Sequence, residues 1–207
     1  MKQQKIFITG ISTEVGKTVA AAIVTEALEA DYWKPVQAGE LENCDTAKVK
    51  KLVSNNRSQF YSNSFALHTP MSPHAAADID GVSIRLEEIQ EPTTTNHLVI
   101  EGAGGVLVPL NETATILDVI KPSYKVIVVS RHYLGSINHT LLTVRLLQEK
   151  GFDVSIIFSG EEHPTTESII EKMTGVTIVG RIEEEPYFDT NVIKEYAEMF
   201  RKKIQKL

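Results

Sequence analysis

Cysteine is nearly absent: Cys44 is the single one in 207 residues. That excludes an internal disulfide framework and any metal site built from several thiolates. The six histidines fall in no H-x-x-x-H or H-E-x-x-H spacing, which excludes the helical zinc-binding arrangement of metalloproteases. No apolar run is long enough to cross a bilayer, and "MKQQKIFITG" enters a strand without the apolar region of a signal peptide. This predicts a cytoplasmic protein with no membrane contact. Basic runs are also missing. The formal net charge is -6, and "RKKIQK" at 201–206 reads as the last turns of an amphipathic helix, where cations face the negative pole. No nucleic-acid surface is expected, and small molecules remain as the ligands. Repeats and low-complexity linkers are lacking too, so residues 1–207 are expected to form a single domain.

What is present is a set of short apolar runs rich in Val and Ile, at 5–10, 97–105, 124–130, 153–160 and 176–182. Half-buried strands would alternate in polarity; unbroken runs predict strands covered on both faces, as in a parallel sheet between helix layers. "YWKPVQAG" (32–39) is a weaker strand, because Pro35 confines it to an edge or an end. Helical patterns fill the gaps at 17–30, 165–175 and 191–207, and at 136–151 with Ser136 as its cap and Gly151 as its stop. Residues 53–96 are the least regular. The alternation predicts an α/β fold: a doubly wound, mostly parallel sheet flanked by helices.

Ligands of such sheets sit outside the carboxyl ends of the strands. Residues 10–18, 34–40, 101–105, 131–136 and Ser159 should share that rim. "GISTEVGKT" (10–18) resembles the phosphate loop G-x-x-x-x-G-K-[ST] with one residue too many between Gly10 and Gly16. A strand, a glycine-bearing turn and "GKT" opening an Ala-rich helix give the context in which backbone amides cradle phosphate oxygens. Lys17 would reach the outer phosphates and the Thr18 hydroxyl would bind Mg²⁺. A cation in the first turn of a helix is electrostatically unfavourable without an anion, which argues against a plain turn.

Other rim residues read in two ways. Glu101 is a hard oxygen ligand or a solvated carboxylate; the small residues "GAGG" (102–105) let a ligand approach the backbone closely. Asp45 is a second ligand or a helix N-cap. Lys34 is a solvated cation or a bridge between a substrate anion and the terminal phosphate. Ser136 is an ordinary cap or opens a helix whose amides receive a carboxylate. His139 is expected to be packed or satisfied, His74 to cap or pack at a helix start, and Cys44 to be inert as a nucleophile.

In order and spacing, "GISTEVGKT", "KPVQAG", "SPH", "IEGAGGVLVPL" and "LGSINHT" resemble the dethiobiotin synthetase family of the phosphate-loop NTPase superfamily, over most of the chain. The elongated loop is typical of that family. The resemblance implies a ligase that carboxylates 7,8-diaminononanoate with CO₂ and closes a cyclic urea, with ATP as co-substrate and Mg²⁺ as cofactor. One amine takes up CO₂ as a carbamate, a carbamate oxygen attacks the γ-phosphate, and the second amine expels phosphate.

By the same resemblance, nucleotide contacts fall to Thr13, Glu14, Val15, Gly16, Lys17, Thr18 and Val19, to Asp45, to Glu101, Gly102, Ala103 and Gly104, and to Ser159, Glu183, Glu184 and Glu185. Thr18, Asp45 and Glu101 would ligate the metal, which promotes Asp45 from cap to ligand. Lys17 and Lys34 would be catalytic. Lys34 would also touch substrate, and Gly135, Ser136, Ile137 and Asn138 of a neighbouring subunit would receive its carboxylate, since the family acts as a homodimer. Two departures stand out. Ala38 replaces a frequent Ser or Thr, and Ser159-Gly160 replaces an Asn-Asp pair that reads adenine, leaving base contacts to the backbone of "RIEEEP" (181–186). The competing readings are another phosphate-loop ATPase or a regulatory nucleotide-binding module without turnover. A partition-type ATPase would carry a lysine early in the loop, where Ile11 and Ser12 stand; a regulatory module has little use for Lys34, Glu101 and "LGSINHT" together.

Overall fold

The computed structural model describes residues 3–207. The elements follow as β1 (Lys5–Gly10), α1 (Lys17–Leu28), β2 (Asp31–Trp33), β3 (Val36–Ala38), α2 (Asp45–Leu52), β4 (Phe60–Tyr61), β5 (Phe65–Leu67), α3 (Pro73–Asp80), β6 (Leu98–Gly105), β7 (Lys125–Arg131), α4 (Ser136–Glu149), β8 (Asp153–Ser159), α5 (Pro164–Thr174), β9 (Thr177–Ile182) and α6 (Thr190–Ile204). A seven-stranded parallel sheet has the order β4-β2-β6-β1-β7-β8-β9. The five unbroken apolar runs are β1, β6, β7, β8 and β9, and the expected doubly wound architecture is observed.

The stretch 32–39 is two strands. β2 lies inside the large sheet between β4 and β6, while β3 pairs with β5 in a separate two-stranded sheet. Pro35 sits between them, so its missing N–H breaks neither ladder. Its carbonyl instead accepts the amides of Ser64 (2.8 Å) and Phe65 (3.0 Å), steering the chain into β5. The irregular region 53–96 thus contains β4, β5 and α3, elements too short for a periodic pattern to mark.

Alternate residues of the central strands feed two cores. Ile6 and Ile8 pack with α1, α2 and α6 on one face. Phe7, Ile100 and Val128 pack with α3, α4 and α5 on the other. Each fully buried side chain of this size contributes about 1.5–3 kcal/mol.

α6 is seated on the sheet by a glycine. A Cβ on Gly180 of β9 would lie 2.2 Å from Cε1 of Phe200, so only hydrogen fits under that ring. Gly180→Ala is expected to destabilise the fold by about 1–3 kcal/mol through overpacking. The melting temperature should fall by roughly 2–4 °C per kcal/mol for a chain of this size. An unchanged value in thermal unfolding would show that α6 tolerates a shift away from β9.

Candidate active site

The carboxyl ends of the central strands open into a cleft of about 1010 Å³. Its lining includes Thr13, Glu14, Gly16, Lys17, Thr18 and Val19 from the loop after β1, and Lys34 and Asp45 from around β2 and α2. Glu101, Ala103 and Gly104 of β6, Ser159 of β8 and Glu183–Glu185 beyond β9 also line it. Most of the rim deduced from strand ends therefore exists as one surface, although of 131–136 only Arg131 reaches it.

The loop holds α1 by its amino end. Gly16 is the cap, at φ 91°, and a Cβ there would come within 3.2 Å of Ser159 Oγ. Both the left-handed backbone and the close approach demand glycine. Val15 points down and is buried, so it anchors the loop rather than lining the cleft. Lys17 is 8% exposed and donates to the Ser12 carbonyl at 3.0 Å. Burial lowers its pKa to about 8; Glu101 and Asp45 oppose the drop, Lys34 adds to it. A lysine whose desolvation exceeds its attractions is one short of an anion, and this one lies at a helix amino end facing an open cleft.

Beside it lies a buried ionic cluster. Trp33 pairs with Ile100 across the β2–β6 ladder, so Lys34 emerges level with Glu101. The Lys34 ammonium, 4% exposed, lies 3.1 Å from Glu101 Oε1 and 2.7 Å from Asp45 Oδ2. Burial alone would depress its pKa, but the Glu101 and Asp45 carboxylates overcome that and hold it above the ordinary value. Asp45 is driven the opposite way: burial raises its pKa, and Lys34 with Lys48 more than reverses this, holding the carboxyl below its usual range. Glu101 is wholly buried. Its Oε1 also accepts from Thr18 Oγ1 at 2.9 Å, and its Oε2 accepts from the Tyr32 hydroxyl at 2.8 Å. Asp45 does not cap α2: Cys44 occupies that position, and the Asp45 carboxylate turns to Lys34 while its amide donates to Gln37 Oε1 at 3.3 Å.

The chain matches the model of the AAA domain family over residues 4–191. It is 64% identical to the ATP-dependent dethiobiotin synthetase BioD of Christiangramia forsetii, covering 96% of each chain. It is 47% identical to the protein of the same name from Cytophaga hutchinsonii, covering 94% of this chain and 95% of that one. The chain belongs to the ATP-dependent dethiobiotin synthetase family. Among solved structures, a plasmid partition protein from Borrelia burgdorferi superposes with a TM-score of 0.61 at 14% identity over 100% of both chains. A ParA family ATPase from Chlorobium tepidum gives 0.58 at 14% identity, covering 96% and 99%. These likenesses establish the shared fold.

The family resemblance also singled out residues that the structure does not bring to the cleft lining. Gly102 lies over the Phe7 ring, where a Cβ would approach within 3.0 Å, and borders a small void beneath the site. Gly135–Asn138 lie outside the lining. There the cap of α4 is Gly135, at φ 102°, and Ser136 is the first helical residue, itself buried; the sequence reading of Ser136 as cap is corrected by one position. Around this helix start Leu134, Ile137 and Leu142 are exposed. His139 bonds Tyr133 through Nδ1 at 2.7 Å and His74 bonds Ser72 at 3.1 Å, as expected of satisfied histidines.

At the far end, the three glutamates of "RIEEEP" are each tied to the protein. Glu183 meets Arg181 (2.7 Å), Glu184 meets Arg131 (2.6 Å) and Glu185 accepts from Tyr196 (2.6 Å). Tyr196 also accepts the Glu183 amide at 3.1 Å, so α6 fixes this wall of the cleft. The sequence reading passed over Lys48, Gln37 and Tyr32. Lys48 stands one helical turn from Asp45, a signal that was available; Tyr32 carried none beyond its strand. Among the described residues no group of three or more His, Cys, Asp or Glu could hold a metal, and no helix is long and apolar enough to cross a membrane.

Proposed function

We propose that this cleft closes the ureido ring of dethiobiotin from 7,8-diaminononanoate and CO₂, driven by ATP, with ADP and phosphate released. The observation that carries the reading is the junction of Lys17, Thr18, Lys34, Asp45 and Glu101 at one end of the cleft: a deprived cation on a phosphate loop beside a buried ammonium held by two carboxylates.

The triphosphate lies along the loop from Thr13 to Thr18, continuing past Val19, with the amides of α1 on its oxygens and Lys17 on the outer ones. Its base end reaches Ser159 and Glu183–Glu185, and Ala103 and Gly104 leave room for the chain of phosphates. The donor set of Thr18, Asp45 and Glu101 fits Mg²⁺: two carboxylates and a hydroxyl are hard oxygens, and one or two carboxylates plus substrate phosphates are what this ion takes. Both carboxylates already serve one cation, the Lys34 ammonium. Bound there, Mg²⁺ supplies charge neutralisation at the phosphoryl group.

Lys34 faces both this position and the open cleft. Its ammonium orients the carbamate oxygen towards the γ-phosphorus and stabilises the negative charge that spreads over the transferring group. No protein nucleophile is required: the carbamate oxygen forms the bond to phosphorus, the β–γ bridge breaks, and the second amine later displaces phosphate from the carbonyl carbon. Positioning and charge therefore supply most of the acceleration. The exposed apolar residues Leu134, Ile137 and Leu142 support a homodimer in which the α4 start of one protomer, Gly135–Asn138, presents its amides to the substrate carboxylate in the partner's cleft.

The test is phosphate release from ATP with diaminononanoate and bicarbonate each omitted in turn. Release is expected only when both are present. Steady release without the diamine would replace this reading with a simple ATPase.

A further inference from the structure

We infer that Tyr32 is a positioning residue for the cation-binding carboxylate: its hydroxyl holds one oxygen of Glu101 so that the other faces the cleft. This rests on the reading of Glu101 as a metal ligand. Three donors reach Glu101. Thr18 Oγ1 (2.9 Å) and Lys34 Nζ (3.1 Å) share Oε1, and among the described residues Tyr32 alone bonds Oε2, at 2.8 Å. Thr18 and Lys34 both line the cleft, and both take up new partners when triphosphate and carbamate arrive. Tyr32 does not line it. It is fully buried in β2, which runs between β4 and β6, with its ring 6.2 Å from that of Phe60. Its bond to Glu101 therefore lies away from the cleft, out of reach of the incoming ligands.

The hydroxyl calls for an explanation of its own. Phenylalanine would fill the same core space, and a buried hydroxyl is unfavourable unless it is bonded. Here it has one acceptor, and that acceptor is a carboxylate that a cation must approach from the opposite side. A ligating carboxylate whose second oxygen is free can rotate, whereas outer hydrogen bonds of this kind fix orientation and raise metal affinity.

Mn²⁺ binding to the full chain, with a non-hydrolysable ATP analogue present, tests this by electron paramagnetic resonance of the free ion. Tyr32→Phe is expected to weaken Mn²⁺ binding by about tenfold while leaving affinity for the metal-free analogue unchanged. In a Glu101→Gln background, adding Tyr32→Phe should change Mn²⁺ binding no further. If Glu101→Gln binds Mn²⁺ like the parent, the ligand reading fails and the inference with it. If Glu101→Gln is weakened and Tyr32→Phe is not, the inference fails alone. Additive losses in the double variant would show Tyr32 acting through packing and overturn it. Should Tyr32→Phe prove unstable in thermal unfolding, the double variant leaves no buried charge unpaired. It must then bind Mn²⁺ as well as Glu101→Gln does, and weaker binding refutes the proposal.

Discussion

Lys17→Ala is expected to lower ATP affinity by about 100-fold or more, the loss of roughly 3 kcal/mol that follows when a charge-assisted pair loses its cation. Fluorescent nucleotide titration reads the effect directly. The magnitude follows from the state of this lysine before the ligand arrives. Its ammonium is buried, its one bond is to the Ser12 carbonyl, and desolvation has pulled its pKa down to about 8. An incoming polyanion therefore meets a cation that is already stripped of water.

A pH dependence follows with a definite sign. In the free protein Lys17 loses its proton near pH 8; phosphate oxygens favour the charged form and raise that pKa in the complex. Above about 8, binding must take up a proton, so ATP affinity is expected to fall as pH rises, by up to tenfold per unit. The unliganded fold shows the converse. The folded pKa lies below the unfolded value of 10.5, so the unfolded chain holds more protons between them. Lys17 therefore destabilises the empty protein at neutral pH, and this penalty fades as pH climbs through that window. Undiminished nucleotide binding in Lys17→Ala would refute the loop assignment; a flat profile above pH 8 would show that burial does not lower the Lys17 pKa in the free protein.

Much of this was legible in the chain because the physics is local. A parallel strand buried on both faces needs an unbroken apolar run, so β1, β6, β7, β8 and β9 could be read within a residue or so of their observed ends. Strand polarity then put Lys17, Lys34, Glu101 and Ser159 on one rim before any contact was known. What escaped was set by partners distant in sequence. Pro35 reads as the weak point of one strand, yet it divides two strands that belong to different sheets. Asp45 has every local feature of a cap, and only the Lys34 ammonium, brought level with Glu101 by the β2–β6 register, turns its carboxylate away from its own helix. Ser136 lost the cap to Gly135 because the backbone there is left-handed, a property no side-chain pattern announces. The role of Tyr32 depends on one hydroxyl meeting one oxygen across two strands.

Lys34→Ala separates nucleotide binding from chemistry. We expect kcat to fall by about 10²–10³-fold, the cost of removing one preorganised donor from developing charge, with ATP affinity within about twofold of the parent. The asymmetry has a physical basis. Lys34 is one of the groups that depress the Lys17 pKa, so its removal leaves Lys17 more fully charged and the phosphate loop undiminished. What the variant loses is the cation between Asp45 and Glu101. Two carboxylates then face each other in a buried site, one of them wholly shielded from water. Breaking a buried pair in this way costs about 3–5 kcal/mol, so the metal-free variant should melt earlier than the parent. A divalent cation can fill the same gap, so added Mg²⁺ should restore its melting temperature more than it raises that of the parent. Single-turnover phosphate release, ATP titration and thermal unfolding with and without Mg²⁺ distinguish these effects. Full turnover in Lys34→Ala would remove this residue from the reaction and leave its ammonium as a clamp for two acidic side chains.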